Sequence, residues 1–189
     1  MVAFQGDVSE HVRAMERALG DEGSVVEVRK KGIVPHCDGI ILPGGESTTI
    51  SRHLARTGVG DEIVAASRSG IPIMATCAGL IIISKEIVEE TRFRPLGLLE
   101  VRVARNAFGS QRESFEADLE VKGFDSPYRA VFIRAPAIVG WQKEVEVLAR
   151  IEDLAVAVKE KNLLGLAFHP ELTKDARFHQ VFMGMMQEV

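Results

Sequence analysis

The stretch IPIMATCAGLIII, residues 71–83, decides the predicted fold. Its first five residues are mostly apolar and have the composition of a short buried strand. A turn of small residues follows, and a second apolar segment predicts a helix that begins near Leu80. A strand that passes into a helix through a tight turn is the repeating unit of α/β proteins. Cys77 lies in this turn.

The rest of the first half alternates short apolar runs with segments of helical spacing. Further buried strands are predicted at residues 2–4, 24–28 and 39–42. Helices are predicted after the cap candidate Ser9, where Val12, Met15, Ala18 and Leu19 form an apolar stripe, and around Ile50, Leu54 and residues 63–66. This alternation predicts an α/β fold with a mostly parallel central sheet and helices on both faces.

The second half of the chain has short turns between its apolar runs. Strands are predicted at residues 98–103, 114–121, 130–134, 145–151, 155–159 and 163–168, and a closing helix at 174–187. Short connections indicate additional antiparallel strands. No linker or repeat divides the 189 residues, so we expect a single domain over residues 1–189.

Composition excludes several classes of function. The net charge is −4 with interspersed signs, so no basic stripe indicates nucleic-acid binding. The apolar runs are much shorter than the roughly 20 residues of a membrane-spanning helix, and no secretory signal pattern is visible. Two cysteines, Cys37 and Cys77, do not make a disulfide framework, so we expect a cytoplasmic protein with reduced thiols and a structural Cys37.

Cys77 has the setting of a nucleophile. It is the cysteine counterpart of the strand–turn–helix elbow that presents a catalytic serine. The helix N-terminus behind it favours the thiolate, and the N–H of Ala78 points to where an oxyanion would form. The alternative is a small buried apolar side chain, which is common for free cysteines.

His169 lies in AFHPEL, residues 167–172, after the last apolar strand. Pro170 keeps His169 extended, so Glu171 can face the same side and orient the imidazole. A histidine at a strand end is more often structural. Together with Cys77, however, it predicts catalysis, because the carboxyl ends of parallel strands meet at one edge of the sheet.

A third stretch, ILPGGESTT at residues 41–49, leads a strand through two glycines into a helix. The glycines allow the backbone to approach a ligand, and the N–H of Gly45 is a candidate second oxyanion donor. The alternative is a plain glycine turn with Ser47 as the helix cap.

These stretches resemble the class I, triad-type glutamine amidotransferases, which are flavodoxin-like. Within that class the chain resembles the PdxT/SNO family of glutaminase subunits of pyridoxal 5'-phosphate synthase. The resemblance rests on LPGGESTT (42–49), TCAGL (76–80), RNAFGSQRESFE (105–116), FIRAP (132–136) and LAFHPEL (166–172). These motifs extend over nearly the whole chain.

The resemblance implies a role for each matching residue. Cys77 would be the nucleophile, His169 the general base and acid, and Glu171 the residue that orients His169. The glutamine site would be lined by Gly45, Glu46, Ser47, Arg105, Ile133 and Arg134. An arginine suits the α-carboxylate of glutamine, although a solvated surface charge is the alternative reading of Arg105 and of Arg134.

The expected reaction is hydrolysis of L-glutamine through a thioester, with no metal or organic cofactor. The family implies a partner, the (β/α)8-barrel synthase subunit, which uses the ammonia. Two alternatives stay open at this point. One is a related enzyme on the same scaffold, either a glutaminase for another synthase or a cysteine peptidase. The other is a regulatory module without turnover.

Overall fold

The computed structural model describes residues 1–105, 107–109 and 113–187. Asn106 and residues 110–112 of the motif RNAFGSQRESFE therefore lie outside the described residues. In the described part, the helices are α1 (Val8–Leu19), α2 (Ser47–Thr57), α3 (Val59–Arg68), α4 (Ala78–Ile83) and α5 (Arg177–Gln187). The strands are β1 (Ile40–Leu42), β2 (Ile73–Thr76), β3 (Ser84–Ile87), β4 (Leu99–Ala104), β5 (Ser114–Leu119), β6 (Tyr128–Ile133), β7 (Ala137–Trp141), β8 (Glu146–Ile151), β9 (Leu154–Glu160) and β10 (Leu163–Leu166).

The central sheet has the strand order β1-β2-β10-β9-β7-β4-β3, and β8 also pairs with β9. Strands β1, β2 and β10 are parallel to one another, as are β3 and β4. The pairs that involve β7, β8 or β9 are antiparallel. Strands β5 and β6 form a separate antiparallel pair. The expected α/β sheet with added antiparallel strands in the second half is thus confirmed.

The part of the sheet formed by β1, β2 and β10 is covered on both faces. Every residue of β1, β2 and β10 is buried, and alternate residues of a strand point to opposite faces. Helix α1 packs against α5, whereas α2 packs against α3 and α4. Apolar side chains of these helices and strands form one continuous core. No helix in the described ranges is long and apolar enough to cross a bilayer.

The first two predicted strands are much shorter than expected. Residues 2–4 and 24–28 form a single parallel bridge between Val2 and Val28. The Val2 N–H also donates to the Ile41 carbonyl over 3.0 Å, which places this bridge beside β1. Val26 is 50% exposed, and no further strand among the described residues pairs with this second segment to extend it.

Other predictions of local structure were wrong in detail. Ser9 lies inside α1, whose N-cap is Asp7. Composition does not predict strand β3, because its residues are mostly polar, and it does not predict β7, because Gly140 is typical of a turn. Gly140 instead pairs with Arg102, next to an irregularity in the register of β4 and β7.

Two buried histidines predict sensitivity to acid. Burial, reinforced by the charge of Arg17, lowers the pKa of His179 from 6.5 to about 4. Burial also lowers the pKa of His11 well below its usual value. Between pH 6.5 and 4 the unfolded chain binds protons at these residues while the folded chain does not, so the free energy of unfolding falls as the pH falls.

The test compares wild type with His179→Gln, which cannot be protonated. We expect the wild type to lose about 2 kcal/mol more than the variant between pH 6.5 and 4.5 in urea unfolding. Equal losses in the two proteins would show that His179 does not contribute to the acid sensitivity.

Candidate active site

Cys77 occupies the sharp turn between β2 and α4. Its backbone has φ 47°, a conformation that a residue with a Cβ adopts at a cost of roughly 1–3 kcal/mol and that clusters at functional sites. The Cys77 N–H donates to the Leu166 carbonyl over 2.8 Å, which continues the register between β2 and β10. The side chain is buried at 7% exposure. The predicted elbow is therefore present.

His169 follows β10 and lies next to Cys77. Its N–H donates to the Val131 carbonyl over 2.9 Å, and its Nδ1 lies 2.6 Å from Oε1 of Glu171. Glu171 is in a 3-10 turn (Pro170–Leu172), and its side chain is fully buried. Burial disfavours the charged imidazole, but hydrogen bonds with Cys77 and Glu171 outweigh burial and raise the pKa of His169 to about 10. Because Glu171 holds Nδ1, the other ring nitrogen, Nε2, is the one available to the thiol.

A cavity of about 400 Å³ opens beside these groups. Cys77, His169 and Ala78 line it, together with all of the predicted substrate-binding residues: Gly45, Glu46, Ser47, Arg105, Ile133 and Arg134. Three further lining residues were not predicted: Gln5, Asp7 and Ile81. Glu171 lies behind His169 and is not part of the lining. The structure thus collects the predicted residues around one cavity at the carboxyl edge of the sheet.

Comparisons with known proteins agree with this geometry. The model of the SNO glutamine amidotransferase family matches residues 1–188. The chain belongs to the SNO glutamine amidotransferase family. It is 56% identical over 183 residues to pyridoxal 5'-phosphate synthase subunit PdxT of Methanothrix thermoacetophila, covering 97% of this chain and 96% of that protein. It is 54% identical over 191 residues to the PdxT subunit of Archaeoglobus fulgidus, covering 98% and 96%.

Solved structures show the same fold. A crystal structure of a glutamine amidotransferase superposes with a TM-score of 0.92 at 44% identity, covering 98% of this chain and 97% of that one. PurLQS from Thermotoga maritima superposes with a TM-score of 0.65 at 20% identity, covering 100% and 95%. At that identity the second likeness concerns the fold alone. The resemblance noted in the sequence is confirmed at the level of family and fold.

The two glycines of this family member pack where no side chain would fit. A Cβ on Gly44 would lie 2.5 Å from Cε1 of His169 and 3.5 Å from Cβ of Cys77. Gly45 has φ 141°, and a Cβ there would lie 2.7 Å from Oε1 of Gln5. The backbone of the two glycines before α2 therefore lies in close contact with the imidazole of His169 and with Gln5, where no Cβ could be accommodated.

Gly44→Ala is expected to lower kcat for glutamine hydrolysis about 100-fold, because the new methyl group must displace the His169 ring. The measurement is glutamate formation at saturating glutamine. Gly184→Ala is the matched control, since a Cβ on Gly184 meets no atom within 4 Å. Unchanged kcat in Gly44→Ala would contradict the close approach to His169.

Glu46, and not Ser47, is the N-cap of α2. Its carboxylate accepts hydrogen bonds from Thr48 N at 3.0 Å and from Thr49 N and Oγ1, each at 2.7 Å. Although burial works in the opposite direction, the hydrogen bonds from Thr49 and Thr48 lower the pKa of Glu46 to about 2. The reading of Ser47 as the cap was wrong, although Ser47 is buried and lines the cavity.

The two arginines differ in how they are held. Arg134 follows β6 with φ 44°, and its guanidinium lies 3.3 Å from Glu113 while its side chain is 71% exposed. The backbone N–H of Arg105 donates to both carboxylate oxygens of Glu89 at 3.0 Å. Between them, the Ile133 carbonyl accepts a hydrogen bond from Sγ of Cys77 at 3.8 Å. Both arginines are lining residues of the cavity, as is Cys77.

Asp7 adds a second carboxylate near the imidazole. Its Oδ2 lies 3.3 Å from Nδ1 of His169, and the ligand atoms of Asp7, His169 and Glu171 all lie within 4.8 Å of one another. This is the one group of potential metal ligands found among the described residues, and its histidine nitrogen is already engaged with Glu171. The expectation that no metal is needed stays a prediction.

Gln5 and Asp7 could have been found from the sequence. They follow the first predicted strand, residues 2–4, and so belong to the same carboxyl edge as Cys77 and His169. The signal was missed because no motif marks them. Ile81 carries no comparable signal, since it is one apolar residue of an apolar helix.

Proposed function

We propose that this chain hydrolyses L-glutamine to L-glutamate and ammonia, and that it supplies the ammonia to a pyridoxal 5'-phosphate synthase. The observation that carries the proposal is the alignment of Cys77, His169 and Glu171 beside a cavity bordered by two arginines. Membership of the SNO family and the high identity to PdxT subunits support it. The chain would act as a single glutaminase domain.

The first half of the reaction forms a thioester. The Cys77 thiolate attacks the carbon of the side-chain amide, and the carbonyl electrons move to the oxygen. The backbone N–H groups of Ala78 and Gly45 stabilise this oxyanion, and the loss of one such donor typically costs about 3 kcal/mol in the barrier. The imidazolium of His169 protonates the amide nitrogen, the C–N bond breaks, and ammonia leaves.

The second half hydrolyses the thioester. His169, now neutral, removes a proton from water, whose oxygen attacks the thioester carbon. The C–S bond breaks, which releases glutamate and restores the thiolate beside the imidazolium. Glu171 stabilises the charged ring and holds its Nδ1 proton throughout. No step requires a metal or an organic cofactor.

Substrate recognition uses the rim of the cavity. Arg105 and Arg134 bind the α-carboxylate, for which a guanidinium offers paired donors. The Ile133 carbonyl, which faces the thiol in the free chain, accepts from the α-ammonium. Gly45, Glu46 and Ser47 form the opposite wall. The Glu46 carboxylate keeps its hydrogen bonds to the N-terminus of α2. Glu46 therefore fixes the position of this wall and adds negative electrostatic potential to the cavity.

The ammonia requires a second active site close by, because ammonia in neutral water becomes ammonium, which is not nucleophilic. The partner we propose is the (β/α)8-barrel synthase subunit, in the cytoplasm, where the thiol of Cys77 stays reduced. The relatives' names identify them as subunits of a pyridoxal 5'-phosphate synthase.

The test measures glutamate release from L-glutamine by this chain, alone and with a barrel synthase subunit from the organism of one of the PdxT relatives. It then measures pyridoxal 5'-phosphate formed with glutamine as the nitrogen source. We expect glutamate release in the complex and cofactor synthesis that depends on this chain. Absence of glutamate release in a complex that forms would overturn the proposal. Glutamate release without cofactor synthesis would point to another synthase.

A further inference from the structure

His11 is a buried histidine that touches both halves of the site. It lies in α1, has no exposed surface, and is outside the lining of the cavity. Its Nε2 lies 3.0 Å from Oγ1 of Thr76 and 3.2 Å from Oε2 of Glu171. Thr76 directly precedes the nucleophile, so one side chain links the elbow to the carboxylate of the triad.

The surroundings of the Glu171 carboxylate determine whether the Nε2 of His11 must carry a proton. Oε1 of Glu171 is taken by His169 at 2.6 Å. Oε2 of Glu171 is fully buried and makes no hydrogen bond with the described residues in the free chain; the Nε2 of His11 lies 3.2 Å from it, while the hydrogen bond of that nitrogen is with Oγ1 of Thr76. A carboxylate can only accept, so the Nε2 of His11 must carry a proton to stabilise it.

His11 has a single proton to offer. Burial lowers the pKa of His11 well below its ordinary value, and the neighbouring rings of His179 and His169 act in the same direction. A neutral imidazole holds its proton on one nitrogen only. Its Nδ1 has no partner among the described residues, whereas Nε2 faces two oxygens. The protonated nitrogen is therefore Nε2.

Helix α1 contributes a second contact to the triad from the same face. Asp7, the N-cap of α1, lies four positions before His11, and its Oδ2 is 3.3 Å from Nδ1 of His169. Positions four apart lie one above the other on a helix. Helix α1 also packs against the turn that carries Glu171. This face of α1 thus rests directly on the His169–Glu171 pair.

We propose that His11 is a positioning residue of the glutaminase: its Nε2–H, anchored to Thr76 and 3.2 Å from Oε2 of Glu171, attracts that buried oxygen, so that Oε1 stays aimed at His169. The inference rests on the proposed function of the triad and adds a residue that does not touch the substrate. A carboxylate held at one oxygen only can rotate about its terminal bond. Rotation would move the acceptor away from Nδ1 and disorder the imidazole that faces Cys77.

The test uses two substitutions of His11 by amide side chains of different length. In His11→Gln the amide nitrogen reaches close to the position of the imidazole Nε2, whereas in His11→Asn the side chain is one methylene shorter. We expect His11→Asn to lower kcat by 10- to 100-fold with KM within twofold of wild type, which is the usual effect of losing an orienting partner. His11→Gln should recover kcat to within about threefold of wild type.

His179→Gln serves as the matched control. His179 is about equally buried, and neither of its ring nitrogens has a hydrogen-bond partner among the described residues. We expect its kcat to be unchanged. All variants are assayed with the synthase subunit present, and urea unfolding gives the folded fraction used to normalise kcat.

Equal kcat in His11→Asn and His11→Gln, with an active wild type, would overturn the positioning role while leaving the glutaminase proposal intact. If His11→Asn does not fold, ¹⁵N NMR of the wild-type histidine rings decides. A proton on Nε2 of His11 supports the proposal, and a proton on Nδ1 overturns it. This spectrum does not depend on turnover, so its outcome is separate from that of the activity assay.

Discussion

Cys77→Ala is expected to abolish glutamine hydrolysis, lowering kcat by at least about 10⁴-fold. Without the sulfur no thioester forms, and the remaining hydrogen-bond donors can only assist a direct attack by water. At φ 47° the backbone strain with alanine is no greater than with cysteine. The cysteine side chain that is removed is small and buried. The variant should therefore fold and still bind glutamine.

Cys37→Ala is the control for this substitution. Cys37 is a free, partly buried cysteine whose Sγ lies 3.5 Å from the Ile33 carbonyl, away from the cavity. Glutamate release is followed for both variants with the synthase subunit present. Retained activity in Cys77→Ala, or equal loss in the two variants, would contradict a nucleophilic role for Cys77.

Glu171→Gln is expected to lower kcat by about 10³- to 10⁴-fold with little change in KM. The amide keeps the size of the carboxylate, so the effect is electrostatic. The 2.6 Å contact with Nδ1 would lose its negative charge, and the buried imidazolium of His169 would have Asp7 as its nearest carboxylate at 3.3 Å. The pKa of His169, raised to about 10 by Cys77 and Glu171 against burial, would fall.

Glu160→Gln is the matched control, because Glu160 is also a buried carboxylate. It accepts a hydrogen bond from the Glu100 N–H at 2.9 Å in the antiparallel part of the sheet. Both variants are compared by steady-state kinetics and by ¹⁵N NMR of His169. An unchanged kcat in Glu171→Gln, or a His169 ring that stays protonated at pH 8 in that variant, would contradict the role of Glu171.

The part of the sheet formed by β1, β2 and β10 could be predicted because its strands are continuous apolar runs bounded by turn residues. Strands β1, β2 and β10 are buried throughout, so their composition alone marks them. Strand β3 could not be predicted in this way, because it is polar and is a strand only through its pairing with β4. Pairing between distant segments leaves no signal in local composition.

The sequence could identify those residues of the site that lie in motifs at the ends of strands. Cys77, His169 and Glu171 follow this rule, and so do Gly45, Ile133 and Arg134. His11 shows the limit of the approach. It lies four residues before Met15 and seven before Ala18, which indicates a buried face of α1. Its proximity to Thr76 and Glu171, however, depends on how α1 packs against two other segments, and only the structure reveals that packing.

The hydrogen bond from Cys77 N to the Leu166 carbonyl has a consequence for protein synthesis. It joins the nucleophile's turn to the strand that precedes His169, and strand β10 leaves the ribosome near the end of translation. Until β10 inserts beside β2, a growing chain has a thiol but no base. Under the proposed mechanism, a chain that ends before His169 would therefore not release ammonia from glutamine.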